Sequence, residues 1–201
     1  ECGTIPSHAD LYKPSTATFS YEWQGWNKTL VAANADATYK SRGFTQVSKR
    51  YAIRFVTGPG ATTINPIEQE VGTPVVAPSD PTREGYTFNG WKPAVPSVMP
   101  ANDLNCVAQW TANTNTAYTV KHWQQNLENN EYTLFETQNL TGTTDTEVTP
   151  AVKNYTGFTA PATQTKTIAA DGSMEIAYHY TRNIYTITWV DGNGTTIETD
   201  E

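Results

Sequence analysis

Few residues of this chain have the types and the spacing that a catalytic or metal-binding site requires. The three histidines, His8, His122 and His179, lie far apart along the sequence, so they are not expected to share a metal ion. No nucleophile elbow, phosphate-binding loop or pair of catalytic carboxylates occurs. The sequence therefore predicts a protein that is not an enzyme and that needs no cofactor or metal.

The two cysteines are too few for a disulfide framework. In "LNCVAQW" at 104–110, strand alternation places Cys106 on the same face as Leu104 and Ala108. This apolar setting favours a buried free thiol at Cys106. A Cys2–Cys106 disulfide bond is the alternative.

Composition and charge restrict the classes of partner. The net charge is −7, and no cluster of lysine or arginine is present, which argues against nucleic acid and against anionic membrane surfaces. No apolar run approaches the roughly 18 residues that span a bilayer. Only 16% of the residues are charged, and threonine is abundant, which is typical of a β-rich extracellular protein. The chain is expected to be a segment of something longer.

A repeated phrase divides the chain into units. "YAIRFV", "YTVKHW" and "YTITWV" begin at Tyr51, Tyr118 and Tyr185, a constant spacing of 67 residues. Each phrase alternates as a half-buried strand does, and each precedes a turn, "TGPG", "LENN" or "DGNG". The last turn resembles part of a calcium loop, but Thr196 stands where such a loop needs glycine, so a hairpin is favoured.

The remainder of each unit is broken by proline. Single helical turns are predicted at 79–85, 150–157 and 13–20, and closing strands at 102–110 and 175–183. The fold class is therefore mainly β or α+β, built from small tandem modules of about 67 residues. Short Thr/Asn-rich joints predict that the modules form an elongated array.

An aromatic phrase also recurs, as "SYEWQGW" at 20–26 and "GYTFNGW" at 85–91. Aromatic faces suit the apolar faces of sugar rings, so these side chains could form binding platforms. Their recurrence at module spacing instead favours packing in the core. The residues assigned to this structural core are Tyr21, Trp23, Trp26, Tyr86, Phe88, Trp91 and Trp110.

Two neighbouring residues of the second repeat are candidate binding residues. Trp123 falls in the outward phase of its strand, so it is the tryptophan most expected to be exposed and to recognise a ligand. His122 falls in the core-facing phase, where an imidazole could respond to pH. The alternative is that His122 lies at a strand end with one ring nitrogen in water.

Two repeat families share these motifs. The "VGTPV" stretch, "DPTREGYTFNGW" and "NDLNCVAQWT" resemble the Listeria/Bacteroides repeat, the type known from the B repeat of internalin B. The segment "YTVKHWQQNLENNEYTL" through "MEIAYHYTR" resembles a mucin-binding-protein (MucBP) repeat. Both resemblances imply small β-grasp-like modules on a Gram-positive surface protein.

These resemblances set the expected domain boundaries. Residues 1–50 form a partial B-repeat-like module that lacks its first strand, and 51–114 form a complete one. Residues 115–182 form a MucBP-like module, and 183–201 supply the first strands of a further B-repeat-like module.

The expected function is that of an extracellular stalk and adhesive segment of a bacterial cell-surface or secreted protein. Weak multivalent contacts with host glycoprotein, mucin or matrix are the implied partners. One alternative is a glycan-binding module with a defined site. Another is a fibre or tip subunit in which Tyr185, Ile187 and Trp189 of one chain complete the first module of a neighbouring copy.

Overall fold

The computed structural model describes residues 5, 7–32 and 34–200. Within these ranges the chain forms fourteen β-strands and no helix, which confirms a mainly β fold. In chain order the strands are β1 (Phe19–Trp23), β2 (Phe44–Ser48), β3 (Arg50–Val56), β4 (Ile67–Glu70), β5 (Tyr86–Lys92), β6 (Leu104–Ala112), β7 (Thr116–Gln125), β8 (Tyr132–Gly142), β9 (Glu147–Val148), β10 (Phe158–Thr159), β11 (Lys166–Thr167), β12 (Glu175–Arg182), β13 (Ile187–Val190) and β14 (Thr196–Asp200).

The first four-stranded sheet has the order β4-β3-β6-β5. Strand β3, the first in sequence, pairs antiparallel with β4, where Ile53 lies opposite Ile67. On its other side β3 runs parallel to β6, where Ile53 lies beside Leu104 and Phe55 beside Cys106. The first and last strands of the repeat are therefore neighbours at the centre of the sheet.

The second four-stranded sheet repeats this topology. Its order is β8-β7-β12-β10, with β7 antiparallel to β8 and parallel to β12. Val120 lies beside Ile176, and His122 beside Tyr178. The 67-residue sequence period thus corresponds to a duplicated arrangement of strands.

Two hairpins and one short antiparallel pair, β9 with β11, stand outside these sheets. β1 pairs antiparallel with β2, and β13 pairs antiparallel with β14. The predicted turn at "DGNG" closes the second hairpin, where the Asp191 carboxylate accepts hydrogen bonds from the backbone N–H groups of Asn193 and Thr195. These bonds lower the pKa of Asp191. The hairpin prediction is confirmed.

The predicted helical turns are wrong. Backbone groups of the proline-broken segments bond to other extended segments, as where the Val75 N–H donates to the carbonyl oxygen of Ser97. At 79–85 the chain stays irregular and ends in a turn with Gly85 at a φ of 74°. Forming a single helical turn orders several residues and gains only one hydrogen bond. Such short segments therefore bond to neighbouring extended segments of the same chain instead.

The buried residues form two clusters. In the first sheet Ile53, Met99 and Cys106 are buried, with Phe55 and Trp91 packed against them. Cys106 has a free thiol and no exposed surface, and burial raises its pKa. The free-thiol prediction is confirmed, whereas Cys2 lies outside the described residues. The second cluster is larger and comprises Tyr118, Val120, Ile168, Met174, Ile176, Tyr178 and Tyr180.

By its contacts the chain divides into two units. Unit 1 comprises the chain up to Pro81 together with Asn89–Gln109, and unit 2 comprises Thr82–Phe88 and Trp110 onward. In unit 2 the carbonyl oxygen of Gly85 accepts hydrogen bonds from the Asn113 N–H and the Thr144 hydroxyl. The module boundaries at 114 and 182, like the β-grasp-like and elongated arrangement, stay predictions.

Candidate binding face

The second four-stranded sheet has two chemically different faces. Its inner face carries Tyr118, Val120 and Ile176, which are buried in the core of unit 2. Alternation sends every second residue of β7 and β12 to the opposite, outer face, which includes Trp123 and His179. The outer face is the candidate binding face.

Three aromatic rings form a row on this face. Trp123 of β7 and His179 of β12 are neighbours across the parallel ladder, and their rings stack with centroids 6.1 Å apart and planes 13° apart. The ring of Tyr132, from β8, meets His179 edge-on at 4.9 Å. Trp123 and Tyr132 are half-buried, and His179 is exposed. We name Trp123, His179 and Tyr132 the aromatic row.

Polar and apolar groups flank the aromatic row. The Lys121 ammonium and the Glu175 carboxylate form an ion pair on the outer face, with Nζ and Oε2 2.6 Å apart. Leu134 lies opposite Trp123 on β8, and 40% of its surface is exposed. Aromatic faces beside hydrogen-bonding groups suit ligands that combine apolar and polar surface, as sugar rings do. The row therefore has the chemistry of a weak recognition surface.

Sequence reasoning found one member of this row and missed two. The strand phase of Trp123 placed it on the outer side, as the structure has it. The prediction that it is the most exposed tryptophan is wrong, because its ring packs on His179 and is half-buried, whereas Trp189 is 56% exposed. Its recognition role stays a prediction. His179 and Tyr132 were missed because they reach Trp123 only through the pairing of three strands. The alternation of "EIAYHY", which puts His179 out of phase with Tyr178 and Tyr180, was the available signal.

His122 does not belong to this face, and the prediction of a binding role for it is corrected. The ring has no exposed surface, and its Nδ1 lies 2.9 Å from the Tyr180 hydroxyl. Its Nε2 lies 2.9 Å from Oε1 of Gln138, which can only accept, so Nε2 donates and Nδ1 accepts from Tyr180. The core-facing phase is confirmed, and the alternative of one nitrogen in water is wrong because both nitrogens have protein partners.

A polar cluster continues from His122 along the inner face. The Tyr180 hydroxyl also accepts a hydrogen bond from the Lys153 N–H, at 2.9 Å. The Glu136 carboxylate pairs with the Lys153 ammonium and accepts a bond from the Tyr155 hydroxyl. These two bonds lower the pKa of Glu136, whereas burial and the bond to Glu136 raise the pKa of Tyr155. Because the polar groups of this cluster hydrogen-bond to one another, we expect the cluster to have a structural role.

A groove of about 280 Å³ opens at the end of the second sheet. The Arg182 guanidinium lies over the Phe158 ring, 5.4 Å from its centroid. Leu134, which lies opposite Trp123, lines the groove as well. The other lining residues include the amide side chains Gln124, Gln125 and Asn126 and the apolar Leu127 and Phe135.

The aromatic residues assigned to the core are all half-buried. In unit 1 Trp91 packs against the buried cluster and against Phe55, with ring centroids 5.0 Å apart. The Trp23 and Trp26 rings meet edge-on at 5.4 Å, and the Lys13 ammonium lies over Tyr21.

Three of these aromatic residues belong to unit 2. The Phe88 and Trp110 rings meet at 5.4 Å. The Tyr86 hydroxyl bonds to the Asp145 carboxylate, which raises the pKa of Tyr86, and the Arg83 guanidinium lies over its ring. The shared core role of these residues stays a prediction.

No group of histidine, cysteine or acidic residues with the geometry of a metal site occurs among residues 5, 7–32 and 34–200. In the same part of the chain, no helix has the length and apolar character needed to cross a membrane.

The chain was compared with known protein families and solved structures. No family model matches the chain, so the resemblances to B repeats and MucBP repeats stay predictions. A structure of Streptococcal High Identity Repeats in Tandem (SHIRT) domains 3-4 from a cell surface protein is similar at 16% sequence identity, with a TM-score of 0.24. The match covers 66% of this chain and 95% of that one. At this level of similarity, function has to be inferred from the chain's own strands and side chains.

Proposed function

We propose that this chain is an extracellular, non-enzymatic repeat segment of a bacterial cell-surface protein, and that it acts as a load-bearing stalk. The observation that supports the proposal is the position of the first and last strands in both four-stranded sheets. β3 lies parallel beside β6, and β7 lies parallel beside β12. The chain enters each sheet along one of these strands and leaves along the other.

This arrangement decides how a sheet responds when the chain is pulled from its ends. The two parallel strands are drawn in opposite directions along their length, so their interstrand hydrogen bonds are loaded together. Six residue pairs join β7 to β12, and four join β3 to β6. In the β13–β14 hairpin the antiparallel bonds instead open one after another from the free end. The two sheets should therefore resist force far better than the hairpin.

Single-molecule pulling through the chain termini tests the stalk. Each repeat should release about 22–24 nm of chain, less its folded span, because 67 residues extend by about 3.3–3.6 Å each. The β13–β14 hairpin is an internal control and should open first, at low force. Repeats that yield at the force of the hairpin would refute the proposal. The stalk proposal also predicts a radius of gyration, by small-angle scattering, above the about 16–17 Å of a compact globule of this length.

A second candidate function, adhesion to host glycoprotein or mucin, is favoured by the aromatic row. Trp123→Ala should weaken binding to immobilised mucin by about fivefold, since one aromatic contact contributes about 1 kcal/mol. Tyr12→Ala is a matched control, because Tyr12 is 82% exposed and lies in unit 1. Surface plasmon resonance measures both, and equal binding by the two variants would contradict an adhesive role for the row.

A further inference from the structure

We propose that the groove at the end of the second sheet binds a sugar that carries one carboxylate, and that the Arg182 guanidinium holds this carboxylate. The proposal rests on the adhesive candidate function and names the class of ligand that this function would use. It also gives unit 2 a binding site in addition to the aromatic row.

Arg182 is held in position at the end of β12. Its backbone N–H donates to Oε1 of Gln125 at 3.0 Å, and Arg182 lies opposite Phe158 in the antiparallel pair of β10 with β12. The guanidinium lies over the Phe158 ring, within the roughly 6 Å over which a cation and an aromatic ring attract each other. Because this contact restricts the side chain before a ligand arrives, less conformational freedom is lost on binding.

The Arg182 guanidinium has no partner for its charge. In the part of the chain that the structure describes, it forms no ion pair and donates no hydrogen bond to a protein acceptor. By contrast, Arg54 pairs with Asp103, and Arg50 donates to the carbonyl oxygen of Glu68. A planar guanidinium with free N–H groups matches the two oxygens of a carboxylate.

The Gln124 amide is the second uncommitted group of the groove. Gln124 is half-buried, and within the described ranges its amide has no hydrogen-bond partner. Adjacent groups are already paired, since the Thr133 hydroxyl donates to Oδ1 of Asn126 and the Gln125 amide donates to Asn130. A free amide can both donate to and accept from the hydroxyl groups of a sugar.

The apolar lining and the size of the groove favour a sugar ring. Leu127, Leu134 and Phe135 line it and are 74%, 40% and 59% exposed. Apolar and aromatic surface of this kind suits the apolar face of a sugar. The volume of about 280 Å³ is close to the lower end of small-molecule sites, which is about 300 Å³. The groove therefore suits a single ring.

Charge restricts the ligand to one acidic group. Among the described residues that line the groove, none is acidic. However, the chain has a net charge of −7, and an adjoining cavity of about 400 Å³ that shares Arg182 contains Glu128. A polyanionic ligand would be repelled by this charge, whereas a single carboxylate needs only the Arg182 guanidinium. Sialic acid and uronic acids have this chemistry.

Titration of the isotope-labelled chain with free sugars, followed by nuclear magnetic resonance, tests the proposal. The probes are the methyl glycosides of N-acetylneuraminic acid, glucuronic acid and glucose. One acidic sugar or both should shift the signals of Gln124 and Arg182, and the stronger binder identifies the source of the carboxylate. Methyl glucoside, which has no carboxylate, should bind about tenfold more weakly than the preferred acidic sugar.

Two results of this titration overturn the proposal. One is the failure of both acidic sugars to shift the two signals, and the other is equal affinity for methyl glucoside and the preferred acidic sugar. The amide of N-acetylaspartate is a further probe, because it carries a carboxylate on a peptide unit. If it binds as tightly as the acidic sugars, the groove recognises peptide carboxylates and the sugar assignment is overturned.

Variants of Arg182 test its role. Arg182→Gln should weaken binding of the preferred acidic sugar about tenfold, and Arg182→Lys should have an intermediate effect because it keeps the charge but loses the planar fork. Arg83→Gln is the matched control, since Arg83 also lies over an aromatic ring in unit 2 but does not line the groove. Equal losses in Arg182→Gln and Arg83→Gln would mean that net charge alone governs binding, which overturns the proposal.

Immobilised mucin separates this proposal from the adhesive function. A chain that binds the free acidic sugar through Arg182 but does not bind mucin would refute adhesion to mucin and leave the groove as a sugar site. If Trp123→Ala weakens mucin binding, whereas neither Arg182→Gln nor sialidase treatment of the mucin does, adhesion stands and the groove has no part in it. That result, together with a failed sugar titration, overturns the proposal alone.

Discussion

Gly85→Ala should destabilise unit 2 through steric contact and backbone strain together. Gly85 has a φ of 74°, which costs an alanine about 1–2 kcal/mol. A Cβ on Gly85 would lie 2.8 Å from the Cα, Cβ and carbonyl oxygen of Ala170. Because two of these are backbone atoms, they cannot turn away, and overpacking of this kind costs about 1–3 kcal/mol more. The expected loss in the free energy of unfolding is therefore about 2–5 kcal/mol.

Gly157→Ala separates the two contributions. Gly157 lies in unit 2 with a φ of 83°, and a Cβ there would meet no atom within 4 Å. This variant should lose only the strain, about 1–2 kcal/mol. Urea unfolding followed by near-ultraviolet circular dichroism measures both variants against the unsubstituted chain. Equal losses in the two variants would refute the close approach of Gly85 to Ala170.

Three further predictions concern single side chains. Trp91→Ala should lower the unfolding free energy of unit 1 by about 3 kcal/mol, because the indole packs against the buried cluster of that unit. A urea titration measures the loss, and a value below about 1 kcal/mol would contradict the assignment of Trp91 to the core. The neutral form of Tyr155 is favoured in the folded state, so its stabilisation is complete below a pH of about 10 and is lost as the pH rises through the raised pKa. Circular dichroism against pH should therefore show a steeper alkaline loss of stability in the unsubstituted chain than in Tyr155→Phe. Identical curves would contradict a stabilising contribution from neutral Tyr155. In a Cys2→Ser background, Ellman's reagent should modify Cys106 only as fast as the protein unfolds, since burial raises the thiol pKa and blocks access; rapid modification of the native protein would show that the thiol is accessible.

Local signals in the sequence predicted the strands that open each repeat, but the half-burial predicted for the third is wrong, because all four residues of β13 are exposed. Alternation within "YAIRFV" and "YTVKHW" placed Ile53 and Val120 on a buried face, and both have no exposed surface. The glycine and asparagine of "DGNG" predicted the hairpin between β13 and β14. These features depend on neighbours a few residues apart, which is the range that a pattern can report.

Contacts between distant segments were not predictable in the same way. The partners of His122 are Gln138 on the next strand and Tyr180, 58 residues away. The stack of Trp123 on His179 depends on the parallel pairing of β7 with β12. Local spacing in the sequence does not specify which strands become neighbours. The buried imidazole of His122 and the aromatic row could therefore be identified only from the paired strands of the structure.

The two duplicated sheets have different interiors, and this difference bears on how neighbouring repeats fold without interfering with each other. At the equivalent central position Phe55 lies beside Cys106 in the first sheet, and His122 lies beside Tyr178 in the second. A strand exchanged between the two sheets would crowd Phe55 against Tyr178. The opposite exchange would place His122 beside the Cys106 thiol and remove the Tyr180 hydroxyl that bonds to its ring. Adjacent repeats of like topology are prone to misassembly while they emerge and fold. Alternating the interior chemistry along the chain is expected to make each strand recognise its own repeat during synthesis.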